Sequence, residues 1–438
     1  MEKLKRWVEE AIGPGYEYEV YAERRRKTTV ETSEERLENL IRSEEVSVGV
    51  RVFKDRRMGF SYTTDLSESS LKECVRVAMQ ACDITPQDEG FALGSCENWG
   101  ELKTYYDGEG IARPLEEKVE LVVGLEKMAK SLDRRVKGVR KTSLREEEVE
   151  VLCFNSCGLF YTYASTWYSS AMAVLAEESG DQSISYDFVG ARSLNLLPLQ
   201  SMVEEAVFKA TATLNPSHFE TRRMPVVFYR DASAMMLEAF SPIFLGDSLV
   251  KGKSFLKDME GKPIFSPKLT IVEDGTLEGG FLSLPVDAEG HPTSRKKIVE
   301  EGTFKGFLHS TYTALKCGAK PTGNSLRESS KSLPTSGITN LYILPGEASL
   351  EDLLQEEVFL ITDLMGLHTA DPVSGDFSLG ASGIIYRKGK KEKSLRGVVI
   401  GGNIREMWSS VAEVCKDLRF YGNIGSPSLY VETLTVGG

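Results

Sequence analysis

Hydrophobic and polar residues follow two different periods in the first half of the chain. Apolar residues at helical spacing predict helices over residues 3–11, 67–81, 115–132 and 198–212. Alternation of apolar and polar residues predicts half-buried antiparallel strands over residues 16–32 and 45–53, and a hairpin over 139–176. Residues 83–114 show neither period and are rich in Gly, Pro, Asp, Glu and Ser, so we expect an irregular connection there.

The pattern changes after residue 221, where short strands and turns dominate. The predicted strands are 267–272, 281–286, 297–300, 306–308, 340–344, 358–363, 381–387, 393–400 and 428–435, with helices at 350–356 and 404–414. Many short strands separated by turns are typical of a sandwich or barrel. We therefore predict an α+β protein. Its N-terminal lobe of helices and antiparallel strands comprises subdomains 1–110 and 111–220, and its C-terminal lobe, 221–438, is β-rich.

One stretch of the C-terminal lobe, residues 231–254, combines an almost wholly apolar helix with a single ionisable group. It reads DASAMMLEAFSPIFLGDSLVKGKS and follows a strand-like run at 224–229. Asp231 is placed to cap the helix N-terminus, and a helix that is apolar nearly all round is normally buried. Glu238 lies in its middle. Pro242 disfavours helical geometry at the preceding residue and predicts the end of the helix.

The run from Leu237 to Pro242, with GD at 246–247 and KGKS at 251–254, resembles the metal-binding helix and loop of the TldD/PmbA family. In TldD-type members this segment reads HExxxH, in which two His bind zinc and the Glu is the general base. The resemblance implies that Leu237 and Pro242 occupy the two His positions, while Glu238 remains. The chain thus resembles the PmbA (TldE) branch, with no metal or cofactor of its own and zinc in a TldD-type partner.

A second segment with this resemblance is residues 366–383, GLHTADPVSGDFSLGASG. A phosphate-binding loop is disfavoured because GxxxxGK[ST] is absent and no helix follows. Two interpretations stay open. The segment is either an array of turns lining the interior of the C-terminal lobe, or a loop that helps to hold an extended peptide near the partner's zinc. His368, Asp371 and Asp376 are the candidate chamber-lining residues.

Two further C-terminal features complete the resemblance. The run GGNIREMW resembles a family motif, and we expect Asn403 to cap a helix beginning at Ile404, besides being a candidate chamber-lining residue. In TldD-type members the third zinc ligand is a Cys in a long loop near the C-terminus. Here that loop is short, and we place Cys415 within or at the end of the preceding helix. The resemblance therefore implies that all three ligands are missing.

Composition narrows the functional classes. A net charge of −12 over 438 residues argues against a nucleic-acid-binding surface, and hence against direct DNA contact behind the family's old label, modulator of DNA gyrase. No apolar signal core and no run of membrane-spanning length occur, so we expect a cytoplasmic protein without a membrane partner. The seven scattered cysteines predict reduced, packed thiols, and the four distant histidines predict no metal site.

Three functional hypotheses follow. The first is a non-catalytic PmbA/TldE-type subunit that pairs with a TldD-type chain and encloses a chamber for unfolded peptides or peptide leaders. The second is an independent binding or scaffold protein, forming a dimer with itself. The third is a peptidase whose metal has moved to His291, His309 or His368. Glu238 alone is a poor catalytic candidate because a general base needs an activated water.

Overall fold

The computed structural model describes residues 2–438. With the predicted boundaries at 110 and 220, the chain divides into a first segment (2–110), a second segment (111–220) and the C-terminal lobe (221–438). The first segment contains α1 (Glu2–Ala11), β1 (Glu17–Ser33), β2 (Arg36–Lys54), β3 (Arg57–Thr63), α2 (Glu68–Ile84), β4 (Asn98–Glu101) and α3 (Gly108–Ala112). The second contains α4 (Leu115–Leu132), β5 (Val136–Asn155), β6 (Phe160–Glu178), β7 (Asp181–Ala191), a 3₁₀ turn (Leu194–Leu196) and α5 (Leu199–Ala212).

The strands of both segments form one seven-stranded sheet. Its order is β3-β2-β1-β5-β6, and β4 and β7 both pair with β6. The central pairings are antiparallel and long; β1 is paired with β5 from Glu19 to Thr32. Helices α1, α2, α4 and α5 cover the sheet through apolar residues at helical spacing, which bury against alternate strand positions. Part of the sheet packs on the C-terminal lobe, where Tyr161 and Val286 share one hydrophobic cluster.

The C-terminal lobe contains many short elements. They are β8 (Arg222–Phe228), α6 (Arg230–Phe240), a 3₁₀ turn (Ser241–Phe244), α7 (Gly246–Val250), β9 (Ile271–Asp274), β10 (Arg295–Glu300), β11 (Thr303–Phe304), α8 (Thr311–Cys317), β12 (Ser325–Leu326), β13 (Thr335–Ser336), β14 (Leu341–Ile343), α9 (Leu350–Leu353), β15 (Val358–Met365), a 3₁₀ turn (Leu367–Thr369), β16 (Asp376–Arg387), β17 (Lys390–Asn403), α10 (Ile404–Ser409), β18 (Val411–Val414), β19 (Arg419–Tyr421), β20 (Ile424–Ser426) and β21 (Leu429–Gly437).

Five strands of this lobe close into a barrel. The order is β17-β16-β15-β8-β21, and β21 pairs back onto β17. A second sheet has the order β11-β10-β9-β14-β20-β19. Helix α6 packs against both sheets, through β15 and β20, and its apolar residues belong to the largest hydrophobic cluster of the chain. The predicted α+β class and barrel-like C-terminal lobe are confirmed.

Several local predictions are wrong. Residues 404–414 are not one helix, because α10 ends at Ser409 and Val411 begins β18, which pairs with β21. Cys415 therefore follows a strand rather than lying in a helix. Residues 281–286 and 306–308 form turns and isolated bridges, since their backbone N–H and C=O groups hydrogen-bond to loop residues instead of to a neighbouring strand. Strand β7 was not predicted.

The expectation that all seven cysteines are reduced is also wrong. Cys96, in the irregular connection, forms a disulfide with Cys157 in the turn between β5 and β6. The two Cα atoms lie 5.1 Å apart, within the usual range for a bridge. Their separation of 61 residues left no local signal for this pairing. The other five cysteines are free. Over residues 2–438 there is no helix with both the length and the apolar character needed to span a membrane.

Candidate functional site

Helix α6 begins at Arg230 and ends at Phe240, with a 3₁₀ turn from Ser241 onward. The α-helix ends at Phe240, where the sequence predicted its end, but Ser241 keeps right-handed helical geometry (φ −53°, ψ −30°) although Pro242 disfavours it there. The predicted cap is wrong. Tyr229 precedes the helix without a side-chain cap, and the Asp231 carboxylate instead pairs with the ammonium of Lys209 on α5.

Two consecutive residues of α6 face opposite environments. Leu237 is fully buried in the hydrophobic core, whereas Glu238 is exposed. The protein around Glu238 nevertheless removes enough water from its carboxylate to raise the pKa, and no charged partner among the described residues offsets this effect. A carboxyl group of this kind can accept a proton, but the HExxxH mechanism of peptide hydrolysis also needs a metal ion that binds and polarises the water.

Pro242, which follows α6, is apolar like Leu237. Pro242 is half-buried, and the nearby Phe240 ring meets that of Phe377 on β16 edge to face, with centroids 6.3 Å apart. Neither Leu237 nor Pro242 carries a side-chain donor atom, so these positions do not fit a zinc ion. Throughout residues 2–438, no group of three or more His, Cys, Asp or Glu side chains could hold a metal.

Two of the four histidines have hydroxyl partners. The His291 ring shares a hydrogen bond of 3.0 Å with the Thr311 hydroxyl, and His309 shares one of 3.2 Å with Thr313. Burial lowers the pKa of both rings. Their nearest polar partners are hydroxyl groups rather than metal-ligating side chains, which is the arrangement of structural histidines.

Residues 366–376 form a surface loop above α6. Its 3₁₀ turn, which carries the exposed His368, packs against α6. Asp371 is exposed and accepts the backbone N–H of Val373 at 2.8 Å, which lowers its pKa. Leu367 and Ala370 of the loop pack on the core of the lobe, while the candidate residues His368, Asp371 and Asp376 are exposed. Only the strand that follows, from Phe377, turns alternate side chains into the core.

Asp376 and Asn403 are brought together at the base of this loop. The Asn403 side-chain amide donates to Oδ1 of Asp376 at 2.8 Å and to the carbonyl of Ser374 at 3.0 Å. Its oxygen accepts the N–H of Arg405 at 3.0 Å, so the predicted cap of α10 is confirmed. Gly375 has φ +85°, and a Cβ there would lie 3.1 Å from the Asn403 amide, so glycine is required.

Sequence reasoning missed a buried ionic cluster beneath α6. Lys209 lies 3.0 Å from Asp187 on β7 and also pairs with Asp231, while Arg419 lies 2.6 Å from the other oxygen of Asp187. Burial opposes the charge of Lys209, yet the two carboxylates outweigh this effect and raise its pKa. The cluster fixes the first turn of α6 to the second segment. The sequence signal was a Lys between apolar residues of the predicted helix over 198–212.

Family models match three parts of the chain. They are described as PmbA/TldA metallopeptidase domain 1 over residues 18–82, central domain over 109–214 and C-terminal domain over 221–438. The chain belongs to the PmbA/TldD family. Metalloprotease PmbA of Escherichia coli O157:H7 is 26% identical over 453 residues, covering 100% of this chain and 98% of the relative. A TldD homolog of Haemophilus influenzae is 26% identical over 426 residues, covering 89% of this chain and 86% of the relative.

Two solved structures share this fold. TldE of Thermococcus kodakarensis superposes with a TM-score of 0.89 at 24% identity, over 100% of both chains. A Thermotoga maritima protein described as a modulator of a DNA gyrase gives the same TM-score and identity, over 99% of both chains.

Proposed function

We propose that this chain is the PmbA/TldE-type, non-catalytic subunit of a cytoplasmic zinc metalloprotease that acts on unfolded peptides or peptide leaders. The observation that carries the proposal is the environment of α6. Glu238 keeps an exposed carboxylate at the place of a general base, while its flanking positions hold the buried Leu237 and the ring of Pro242. Peptide hydrolysis by an HExxxH helix needs a metal-activated water, and these residues provide no ligands for it.

The backbone that follows α6 supports an altered role for this segment. A regular helix places residues i and i+5 about 140° apart, so an HExxxH pair needs a broken turn between them. Here the 3₁₀ turn that starts at Ser241 provides such a break. This supports a role in which α6 keeps the backbone shape of the family's helix. It would form part of the chamber wall and of the interface with the TldD-type partner, rather than a catalytic centre.

The surface loop 366–376 supports a role in peptide contact. It places His368, Asp371 and Asp376 at the surface over α6, and the bonds from Asn403 to the loop hold its base in one geometry. Exposed carboxylates and a fixed loop suit polar contacts with an extended peptide backbone, which offers N–H donors. We propose that these residues line the chamber formed with a TldD-type partner.

Co-purification with a TldD-type chain and a peptidase assay test this proposal. The isolated chain is expected to bind no stoichiometric zinc and to leave an unfolded peptide intact. The complex is expected to elute as one species and to cleave the peptide until a chelator is added. Glu238→Gln in this chain should leave cleavage by the complex unchanged, whereas the same change in the partner's HExxxH should abolish it.

Each other outcome favours a different hypothesis. Chelator-sensitive cleavage by the isolated chain would rule out the non-catalytic role. A chain that forms a stable homodimer and does not co-elute with the TldD-type subunit would favour the independent scaffold. Loop variants add a separate readout, because His368→Ala or Asp371→Ala in an intact complex should raise the KM for the peptide more than they lower kcat.

A further inference from the structure

The disulfide between Cys96 and Cys157 lies at the surface of the protein, because both of its residues are exposed. Cys96 belongs to the connection between α2 and α3, residues 85–107, and Cys157 belongs to the turn between β5 and β6. Of the five free cysteines, only Cys317 is exposed, and the other four are buried. A thiolate in solution can reach an exposed disulfide, whereas burial protects a structural one.

Hydrogen bonds hold both sides of the disulfide without involving its sulfur atoms. The side-chain oxygen of Asn155 accepts three successive backbone N–H groups of the turn, the first of them that of Cys157, at 2.9 to 3.1 Å. The Asn155 side-chain amide donates to the carbonyl of Ser95 at 2.9 Å, which holds the residue before Cys96 against the same turn. The S–S bond can therefore break and re-form while the two cysteines stay close together in the folded chain.

Next to the disulfide, the connection also contacts the C-terminal lobe. The backbone N–H of Ser95 donates to the carbonyl of Glu289 at 2.9 Å, and the indole N–H of Trp99 donates to the carbonyl of Gly290 at 3.0 Å. The side chain of Glu289 is itself buried. The disulfide thus ties the connection to the first sheet at the point where the connection holds a loop of the C-terminal lobe.

We propose that the Cys96–Cys157 disulfide is a thiol–disulfide exchange site, at which a small thiol controls how firmly the connection is held to the sheet. The inference rests on one element of the proposed function, the cytoplasmic location. Disulfides of cytosolic proteins are usually transient and redox-sensing rather than structural, since thiol pools in that compartment reduce accessible ones.

The exchange proceeds in two balanced steps. The thiolate of the small thiol attacks one sulfur of the disulfide, so the S–S bond breaks, a mixed disulfide forms, and the other cysteine leaves as a thiolate that takes up a proton. A second thiolate then attacks the mixed disulfide and releases the remaining cysteine together with the oxidised small disulfide. Two electrons pass to the protein from two thiols. The connection keeps its hydrogen bonds but loses a covalent closure across 61 residues, so it opens more often.

Alkylation of the native full-length chain tests the reactivity of the site. Cys317 is first blocked with iodoacetamide, reduced glutathione is added at millimolar concentration, and N-ethylmaleimide then labels the new thiols. Mass spectrometry should find maleimide or glutathione on Cys96 and Cys157, and neither on the four buried cysteines. Modification that appears only in denaturant, or maleimide on both cysteines before glutathione is added, would overturn the proposal.

Hydrogen exchange followed by mass spectrometry measures the structural consequence. Backbone amides of residues 91–102 should exchange about tenfold faster in the reduced chain than in the oxidised chain, and oxidised glutathione should restore the slower rate. Residues 141–150 of β5 are the internal control and should exchange equally in both states. Equal exchange over residues 91–102 in the two states would contradict the proposal.

Matched variants assign the response to this disulfide. The double variant Cys96→Ser, Cys157→Ser should exchange like the reduced chain and ignore glutathione. Cys317→Ser is the control, because it removes an exposed thiol outside the disulfide and should keep the full response. A response that persists in the double variant would sink the idea. All these measurements use the isolated chain without peptide or TldD-type partner, so their failure is distinguishable from failure of the non-catalytic role.

Discussion

Nη2 of Arg51 lies 2.9 Å from Oε1 of Glu289, so a buried ion pair joins β2 to the C-terminal lobe. Arg51 also pairs with Glu19 at 2.5 Å, and Glu19 pairs with Arg327 of the C-terminal lobe. Each of these four side chains is less than one-tenth exposed. The charges of two guanidiniums and two carboxylates thus cancel where the first segment contacts the C-terminal lobe.

Removing one member of this network should destabilise the protein strongly. Arg51→Ala leaves Glu289 buried without its cation, and we expect a loss of about 3–5 kcal/mol in the free energy of unfolding. Urea denaturation measures the loss. Arg56→Ala is the control, because Arg56 and Glu89 pair at 3.3 Å on the open surface, where such pairs contribute about 0–1 kcal/mol. Similar losses in both variants would contradict the structure.

Truncation of Leu237 and of Glu238, which are neighbours in α6, should change the free energy of unfolding by very different amounts. Leu237→Ala removes a fully buried side chain from the main core and should lower the free energy of unfolding by about 2–5 kcal/mol. Glu238→Ala should change it by less than about 0.5 kcal/mol, because its carboxylate is exposed and unpaired among the described residues. Thermal unfolding of both variants checks the comparison. A large loss for Glu238→Ala would reveal a contact that the structure does not contain.

Substitutions of Asn403, even by the isosteric Asp, should loosen the loop 366–376. Asn403→Ala removes the cap of α10 and both bonds to the loop, and should cost about 1–2 kcal/mol and expose the loop 366–376 to proteases. Asn403→Asp keeps a capping oxygen but places a second carboxylate beside Asp376. This variant should therefore keep α10 while still loosening the loop. Limited proteolysis measures the loop, and equal resistance in all three proteins would count against its anchoring by Asn403.

Asp287 should make stability depend on pH near neutrality. Burial, together with the charge of Glu289, raises the pKa of Asp287 to about 7, far above the unfolded value of about 3.9. The native state therefore holds an extra proton between these values, and the stability from this group is present at low pH and lost as the pH rises to about 7. Relative to Asp287→Asn, the native protein should lose at most about 3 kcal/mol between pH 5 and 8.

Asp88→Asn provides the matched control for this pH dependence. Burial raises the pKa of Asp88, but the Gly90 N–H and Lys316 lower it by more, so the net pKa is depressed and the group stays ionised throughout this range. Its effect on the free energy of unfolding should be constant from pH 5 to 8. A similarly constant difference for Asp287→Asn would show that Asp287 does not titrate near pH 7.

Local sequence patterns predicted elements correctly where one period dominated. Helix α4 was predicted with its observed bounds, Leu115–Leu132, because apolar residues recur at helical spacing between a Pro and an Asp. The end of α6 and the cap at Asn403 were predicted for the same reason, since each depends on neighbouring residues alone. Val411 shows the limit: its apolar run also fits a helix, but pairing with β21 makes it a strand.

By itself the sequence determined the family, the α+β class and the apolar residues on either side of Glu238, because these follow from residue identity and short-range spacing. Only the tertiary structure decided which distant residues meet. It placed Lys209 against Asp231, joined Cys96 to Cys157 and paired Arg51 with Glu289. Such pairs join chain segments that are far apart in sequence. A local pattern can show that a side chain is buried, but it does not identify the distant residue that becomes its partner.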